Sequence, residues 1–257
     1  SVLAMVGVLI ALGIFLLVPA RRQMKNQGSQ PSSAATWRET FVGFVGILRH
    51  RPTWAIGIAC ALTYIPLAMA ANWLPRYLSS AVGLSLRHAT EGTALFYFGI
   101  AVGCPLAGLW ADRASMRRPI LALGALCTAL LTWMLAMFGH HLSIAGLNGL
   151  LFVWGLSVST YVLGYPWAAA HHPPSGAGSA IAFINFLGML IAGFFVSLFG
   201  VFVAALAHRH ALAVPSAAEF RLALSCTAGF LLVAALIHLC IPDKGIGQQH
   251  DVKSTLA

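Results

Sequence analysis

A few polar side chains interrupt the long apolar runs of this 257-residue sequence, and they are the first candidates for chemistry. We predict that six of them line a polar cavity: Tyr64, Asn72, Tyr97, Thr160, Tyr161 and Asn185. Their phenol, amide and hydroxyl groups exchange hydrogen bonds without carrying charge. Polar groups among apolar helices are costly to bury and usually face a protein interior or a watery cavity. The alternative for each is a structural bond between helices, worth about 0.6 kcal/mol on average.

Two sets of polar residues have helical spacing. Tyr64 and Asn72 are eight residues apart, within about 80° on a helical wheel, so they can share one face. Ser157, Thr160 and Tyr161 follow i, i+3, i+4 spacing and also fall on one face of an α-helix. The sequence therefore predicts two helices that each turn a polar face toward the same cavity.

One short motif could indicate an enzyme instead. Gly155-Leu-Ser157-Val superficially resembles the serine motif of rhomboid-type intramembrane proteases, with His238 as the base. Ser157 and His238 lie two apolar runs apart, and such a match in a Gly/Ser-rich apolar sequence is close to chance. An intramembrane enzyme is therefore an alternative, and the sequence favours a protein that is not an enzyme.

The remaining reactive side chains have simpler interpretations. No Asp or Glu lies at the middle of any apolar run, and His238, on the same helical face as Thr227, is predicted to be structural or interfacial. The histidine pairs at 140–141 and 171–172 lie in loops without complementary ligands. The five cysteines show no metal spacing and are predicted to be small packing residues. We predict neither a metal site nor a cofactor.

The elements that must position these residues are membrane-spanning helices. Apolar residues make up 59% of the chain and charged residues 8%, which leaves too little polar surface for a soluble globule of this length. About 20 apolar residues cross a hydrocarbon core of roughly 30 Å. Seven runs meet that requirement: 1–20, 53–73, 93–111, 120–138, 142–167, 179–206 and 222–241. The prediction is an all-α polytopic membrane protein.

The basic residues predict the orientation of these spans. The net charge of +9 comes from short Lys/Arg clusters at the ends of apolar runs, without the interleaved aromatics of a nucleic-acid surface. If the spans alternate, one side receives eleven Lys and Arg residues and the other receives four, namely Arg76, Arg87, Arg209 and Arg221. By the positive-inside rule the richer side is cytoplasmic, and the carboxy terminus lies there.

The amino-terminal part of the chain has two features. Run 1–20 lacks a basic region before it, and Arg21 and Arg22 follow it, as they would follow a membrane span rather than a signal peptide. Ser1 lies inside this run and no initiating Met precedes it, so the sequence predicts a fragment of a longer protein.

A polar linker follows, and its second half predicts an amphipathic helix along the cytoplasmic membrane face. The apolar stripe of that helix comprises Trp37, Phe41, Phe44, Val45 and Leu48. The alternative is that this stripe packs against neighbouring protein.

At the end of the third run the chain reads Gly108-Leu-Trp-Ala-Asp112-Arg113-Ala-Ser-Met-Arg117-Arg118-Pro119. This resembles the loop signature of the major facilitator superfamily, a Gly, then Asp-Arg/Lys, then Gly and a basic pair. Ser115 and Met116 stand where the family prefers Gly and Arg. The resemblance implies a conformational-switch loop in which Gly108 lets two helices approach, Asp112 caps or pairs at a helix end, and the arginines Arg113, Arg117 and Arg118 hold the loop at the headgroups.

Three further segments are similar to the same family. Residues 47–54 resemble the basic entry to the seventh span, residues 98–108 the glycine-spaced eighth span, and residues 175–188 the eleventh. On that alignment the chain holds spans six to twelve. The resemblance implies that the seventh, eighth, tenth and eleventh spans line a central cavity while the sixth, ninth and twelfth face lipid, and most of the polar residues follow this division.

The resemblance implies a secondary active carrier that moves a small solute by alternating access, with proton coupling an open question. It implies a multi-pass protein of the bacterial inner membrane whose partner is the missing amino-terminal half. The domain prediction is a last span of that half at 1–20, a cytoplasmic linker at 21–51, a six-span bundle at 52–241 and a cytoplasmic tail at 242–257. A non-transporting membrane scaffold or decayed fragment is a third class, since half a carrier has half a pathway.

Overall fold

The structure is a computed structural model that describes residues 45–114, 117–173, 176–210 and 215–241. All of these residues belong to one compact unit, Phe41–Ala257. Residues 45–49 are helical. The helices that follow are α1 Arg51–Asn72, α2 Leu74–Ser80, α3 Leu86–Ala114, α4 Arg118–Phe138, α5 Ile144–Val158, a 3₁₀ segment Ser159–Leu163, α6 Gly164–Ala169, α7 Ala177–Arg209 and α8 Ala217–Cys240. No strand occurs among the residues described.

Six helical stretches are long and apolar enough to cross a membrane: α1, α3, α4, the combined stretch Ile144–Ala169, α7 and α8. They correspond to six of the seven predicted runs, and the all-α polytopic architecture is confirmed. The predicted span 1–20 lies outside the described residues, as do most of the linker and the whole of the tail.

Helices α3 and α7 exceed the apolar runs that predicted them by the most residues. Helix α3 begins at Leu86 rather than at residue 93, because its first turns are supported by exposed polar contacts. Arg87 Nε lies 2.9 Å from Glu91 Oε1, and His88 Nδ1 lies 3.0 Å from Glu91 Oε2. Helix α7 continues to Arg209, three residues beyond its predicted end. Apolarity marks the part of a helix that crosses lipid, and helical hydrogen bonding continues past it.

The predicted run 142–167 is not one continuous α-helix. Helix α5 starts at a Ser143 cap, whose side chain accepts a hydrogen bond from Gly146 N at 3.2 Å. After Val158 the chain tightens into the 3₁₀ segment and then resumes as α6. Because a 3₁₀ turn holds 3.0 residues rather than 3.6, this change rotates the faces that the following side chains present.

The six spans pack mainly in three pairs: α1 with α7, α3 with α5, and α4 with α8. Glycines make the second pair close. A Cβ added to Gly155 of α5 would overlap the carbonyl oxygen of Phe96 in α3, and one added to Gly99 of α3 would overlap the carbonyl oxygen of Phe152 in α5. The two backbones therefore touch directly, as small residues allow in membrane proteins.

Side-chain contacts define the two ends of the bundle. At the first, which we call the Arg51 end, Arg117 Nη1 donates to Pro166 O at 3.0 Å, and Thr53 Oγ1 lies 2.7 Å from His172 Nε2. At the second, the Tyr77 end, Tyr77 donates to Leu135 O at 2.8 Å. Of the arginines that the structure describes in the loops and helices, those of the predicted cytoplasmic group lie at or near the Arg51 end.

The linker prediction is tested only at its last residues. Trp37, Phe41 and Phe44 lie outside the described part, and Leu48 of the predicted stripe is 38% exposed. The buried residue here is Ile47, which packs against Phe183 and Leu187 of α7. The end of the linker therefore rests on the bundle through a residue that is not on the predicted stripe.

Helix α8 begins with a complete capping box. Ser216 accepts a hydrogen bond from the backbone, Glu219 accepts one from Ser216 N at 2.7 Å, and His210 Nδ1 lies 2.8 Å from Glu219 Oε1. The Glu219 side chain is 1% exposed, so these contacts are what satisfy its buried carboxylate.

We expect Glu219→Ala to lower the free energy of unfolding by about 1–2 kcal/mol, because it removes the Glu219 half of the capping box and leaves donors unpaired. Thermal unfolding in detergent should show the loss. The control is Ser225→Ala, since the exposed Ser225 hydroxyl bonds only to Arg221 O of its own helix. Equal midpoints for wild type and Glu219→Ala would contradict the role given to the cap.

Candidate functional site

Three tyrosines and an asparagine meet on the side of the bundle formed by α1, the 3₁₀ segment, α6 and α7. The rings of Tyr64 and Tyr161 are 5.2 Å apart at 63°, and those of Tyr161 and Tyr165 are 6.2 Å apart at 74°. Tyr165 donates a hydrogen bond to Asn185 Oδ1 at 3.3 Å. We call Tyr64, Tyr161, Tyr165 and Asn185 the tyrosine cluster.

The tyrosine cluster lines a narrow open pocket with a cavity volume of about 10 Å³. Its other walls include Cys60 of α1 and Met189 of α7. Tilted aromatic pairs of this kind are stabilised by their edge-to-face geometry, which fixes the rings in place. The pocket therefore offers rigid aromatic surfaces, phenol hydroxyls and one amide, and no charged side chain of the described residues lines it.

The depth of the cluster follows from its positions along the helices. Tyr64 lies thirteen residues into α1, about 20 Å from its start, and Asn185 lies eight residues into α7, about 12 Å from its start. Both helices begin at the Arg51 end. The pocket thus extends from about the middle of the bundle toward the Arg51 end, inside the span of a bilayer.

Tyr97 approaches the same region from α3. Its hydroxyl is 3.4 Å from Leu67 O, three residues along α1 from Tyr64, and the side chain is 37% exposed. The sequence analysis predicted that Tyr64, Tyr97, Tyr161 and Asn185 line one cavity. The structure brings all four to one side of the bundle.

Two predicted cavity residues are not brought to the cluster. Asn72 is exposed near the end of α1 and donates back to Ala68 O at 2.8 Å. Thr160 is buried against Gly124 of α4, with its hydroxyl donating to Ser157 O at 2.9 Å. Ser157 and Thr160 line a different groove, between α3, α4 and α5, so the face predicted to hold Ser157, Thr160 and Tyr161 is divided.

Tyr165 is the member of the cluster that sequence reasoning missed. It follows Tyr161 by four residues, the spacing of one helical face, and this was the available signal. Cys60 and Met189 were also missed as lining residues, because an apolar or weakly polar side chain in an apolar run carries no signal of its own.

The predicted switch loop has one well-defined contact. Arg117 Nη1 donates to Pro166 O, which ties the loop to the end of the span that carries Tyr161 and Tyr165. Arg118 starts α4, and Arg113 is exposed in the last turn of α3. Asp112 is exposed, and among the described residues it forms no ion pair.

The close helix approach expected at Gly108 is not observed. A Cβ added there would meet no described atom within 4 Å, whereas Gly99 and Gly103, earlier on α3, lie against α5 and the 3₁₀ segment. The contact between these spans therefore lies nearer the middle of α3 than the loop signature suggested.

Ser157 and His238 do not form the catalytic pair that the protease alternative requires. His238, predicted to be structural or interfacial, is fully buried beside Trp167, with 6.1 Å between ring centroids. Neither ring nitrogen of His238 has a hydrogen-bond partner among the described residues, so it is not bonded to Ser157. Thr227 instead donates to Ala223 O at 2.9 Å.

Comparison with known proteins gives the family. No curated protein matches the chain. The family model of the Major Facilitator Superfamily matches residues 1–196, which is more than half of the 257 residues and includes every member of the tyrosine cluster. With six membrane-length helices in the described part, this match shows that the chain belongs to the major facilitator superfamily of membrane transporters.

Proposed function

We propose that this chain supplies one wall of the central pathway of a secondary active carrier, which moves a small solute by alternating access. The observation that carries the proposal is the tyrosine cluster: Tyr64, Tyr161, Tyr165 and Asn185 come from separate segments and converge on one open pocket inside the bundle. Binding sites of such carriers lie at this depth, between helices that can move relative to each other.

The exposure of the wall supports a second bundle opposite it. Asn185 is exposed, Tyr97 is 37% exposed, and on α7 Met189 is 62% and Phe186 is 57% exposed. Amide and phenol groups facing hydrocarbon are unfavourable, so this surface needs protein or water against it. In the proposal, the six described spans form the carboxy-terminal half, and the other six-span half of the carrier closes the cavity.

The chemistry of the pocket favours a solute with a flat apolar surface and a few hydrogen-bonding groups. Tyrosine rings give stacking surfaces at low cost in side-chain entropy, while their hydroxyls and Asn185 give orientation. The described acids, Glu91, Asp112 and Glu219, all lie near helix ends. If transport is coupled to protons, the titrating group in mid-membrane comes from outside these six spans.

A ligand panel tests the proposal. The complete carrier, purified in detergent, is heated with sugars, amino acids, organic acids, organic cations and uncharged aromatic compounds. A solute bound at a hundredfold excess over Kd stabilises the folded protein by about 2.7 kcal/mol, a readily measured rise in Tm. We expect one chemical class to raise Tm in wild type and not in Tyr165→Ala. A rise of the same size in both proteins would place binding elsewhere.

For location, we propose the bacterial inner membrane, with the Arg51 end and the carboxy terminus in the cytoplasm. The domain proposal keeps the predicted bounds, with a last span of the other half at 1–20, a linker at 21–51, the bundle at 52–241 and a tail at 242–257. The support is the charge bias, eleven Lys and Arg residues against four.

We expect reporter fusions after Arg118 and His172 to report the cytoplasm, and fusions after Ser85 and His141 to report the periplasm. The reason is that these residues lie in or next to loops at alternate ends of consecutive spans. Paired alkaline phosphatase and fluorescent-protein fusions measure this directly. Periplasmic signals at Arg118 and His172 would invert the proposed orientation.

A further inference from the structure

A groove separate from the tyrosine cluster runs between the start of α1 and the end of α8. It has a cavity volume of about 390 Å³ and opens to the outer surface of the bundle. Arg51 and Ala55 line its α1 side, and Val233, Leu236 and Ile237 line its α8 side. The side chains of Val233 and Leu236 are 47% and 62% exposed, so this wall faces the lipid.

Arg51 is the one basic residue among the described residues that line the groove, and it lies at the rim because it begins α1. The apolar α8 wall runs from Val233 to the terminal Cys240, seven residues or about 10 Å along the helix. Pro52, beside Arg51, also lines the groove and has no backbone N–H. An occupant therefore needs hydrocarbon along its length and a hydrogen-bond acceptor or negative charge at one end.

The charge of the rim is not neutralised within the described structure. Arg51 is exposed and forms no ion pair with any described residue. The ion pairs among the described residues involve Glu91 and Glu219, which lie at the opposite end of the bundle, the Tyr77 end. Arg49, two residues before Arg51, is exposed as well, so the Arg51 end presents positive charge beside the groove.

We propose that this groove binds an anionic phospholipid, with its headgroup phosphate on Arg51 and an acyl chain along Ala55, Val233 and Leu236. A basic group over an apolar cleft between membrane helices suits such a lipid, since guanidinium pairs with phosphate and the chain requires no hydrogen bonds. A peptide strand fits less well, because its backbone N–H and C=O groups would find no partners along the apolar wall.

The bound lipid would hold the first turn of α1 against the last turns of α8. These helices already pack together, and α1 also carries Tyr64 of the tyrosine cluster. A lipid there would therefore connect membrane composition with the position of a cavity helix, whichever solute the carrier moves.

Native mass spectrometry of the full chain in detergent can test this inference. The probes are palmitoyl-oleoyl phosphatidylglycerol, the phosphatidylcholine with the same chains, and glycerol phosphate as the headgroup alone. One arginine near the surface changes binding of an anionic lipid by about fivefold. We expect wild type to bind phosphatidylglycerol about fivefold more tightly than phosphatidylcholine, and Arg51→Gln to lose that preference.

Two further variants separate a site from general attraction. Arg221→Gln removes the same charge from the other end of α8, outside the groove, and should keep the preference. Val233→Trp fills the exposed groove and should weaken binding of both lipids. Equal binding of the two lipids to wild type, equal losses in Arg51→Gln and Arg221→Gln, or full competition by glycerol phosphate would each overturn the proposal.

Discussion

Gly155→Leu is expected to remove most folded protein from the membrane, the largest stability effect that the bundle predicts. Any Cβ at Gly155 overlaps the carbonyl oxygen of Phe96 and lies 3.1 Å from Ile100 N, so the obstacle is backbone, which cannot rotate aside. Helices α3 and α5 would have to separate, and the reciprocal contact of Gly99 with Phe152 would be lost. Overpacking of a close core costs typically 1–3 kcal/mol, and the larger side chain adds to this.

Gly155→Ala tests whether adding a single methyl group raises or lowers the stability of the bundle. In an unhindered helix, Gly→Ala stabilises by up to about 1 kcal/mol, so a loss of stability can come only from the lack of space. The matched control is Gly149→Ala on the same helix, where a Cβ would meet no described atom within 4 Å. We expect Gly149→Ala to match or exceed wild type and Gly155→Ala to melt lower, as measured by size-exclusion detection after heating. Similar melting of the two variants would show that the α3–α5 contact tolerates separation.

The spans were predictable because their requirement is simple. A helix in lipid must satisfy its own backbone and present apolar side chains for about 20 residues, so apolar length alone locates it. Helix ends were less predictable, since Arg87 and Glu91 extend α3 into a polar region where apolarity gives no signal. Which glycine makes contact was also hidden: Gly99 and Gly108 look alike in sequence, and only the crossing point of α3 and α5 distinguishes them.

The candidate site was predictable as a group of residue types and less so as a geometry. Tyr64, Tyr161 and Asn185 were found because polar side chains in apolar spans are few. Thr160 was grouped with Tyr161 on the assumption of a regular α-helix. Ser157, in the last turn of α5, and Thr160, in the 3₁₀ segment, line the same groove beside Gly124. Successive residues of a 3₁₀ turn are about 120° apart, so Tyr161 turns away from Thr160 toward Tyr64.

The adjacent residues Tyr161 and Thr160 provide the decisive test of the proposed cavity. In the complete carrier we expect Tyr161→Ala to lower the initial uptake rate of its solute at least tenfold. The substitution removes one ring from two aromatic contacts, to Tyr64 and to Tyr165, each worth about 0.5–1.5 kcal/mol, and it opens the pocket wall.

Tyr161→Phe separates the ring from the hydroxyl, since it keeps both ring contacts and loses one neutral hydrogen-bonding group, worth about 0.5–1.5 kcal/mol. We expect its uptake to fall between twofold and tenfold. Thr160→Val is the control, because it keeps the shape packed against Gly124 and loses only a bond to Ser157 of the same chain segment. Rates are normalised to protein in the membrane. We expect Thr160→Val to lower normalised uptake less than Tyr161→Ala. An equal loss would show that Thr160 and Tyr161 share one cavity face, as a regular α-helix predicts, and that the tyrosine cluster is not the solute site.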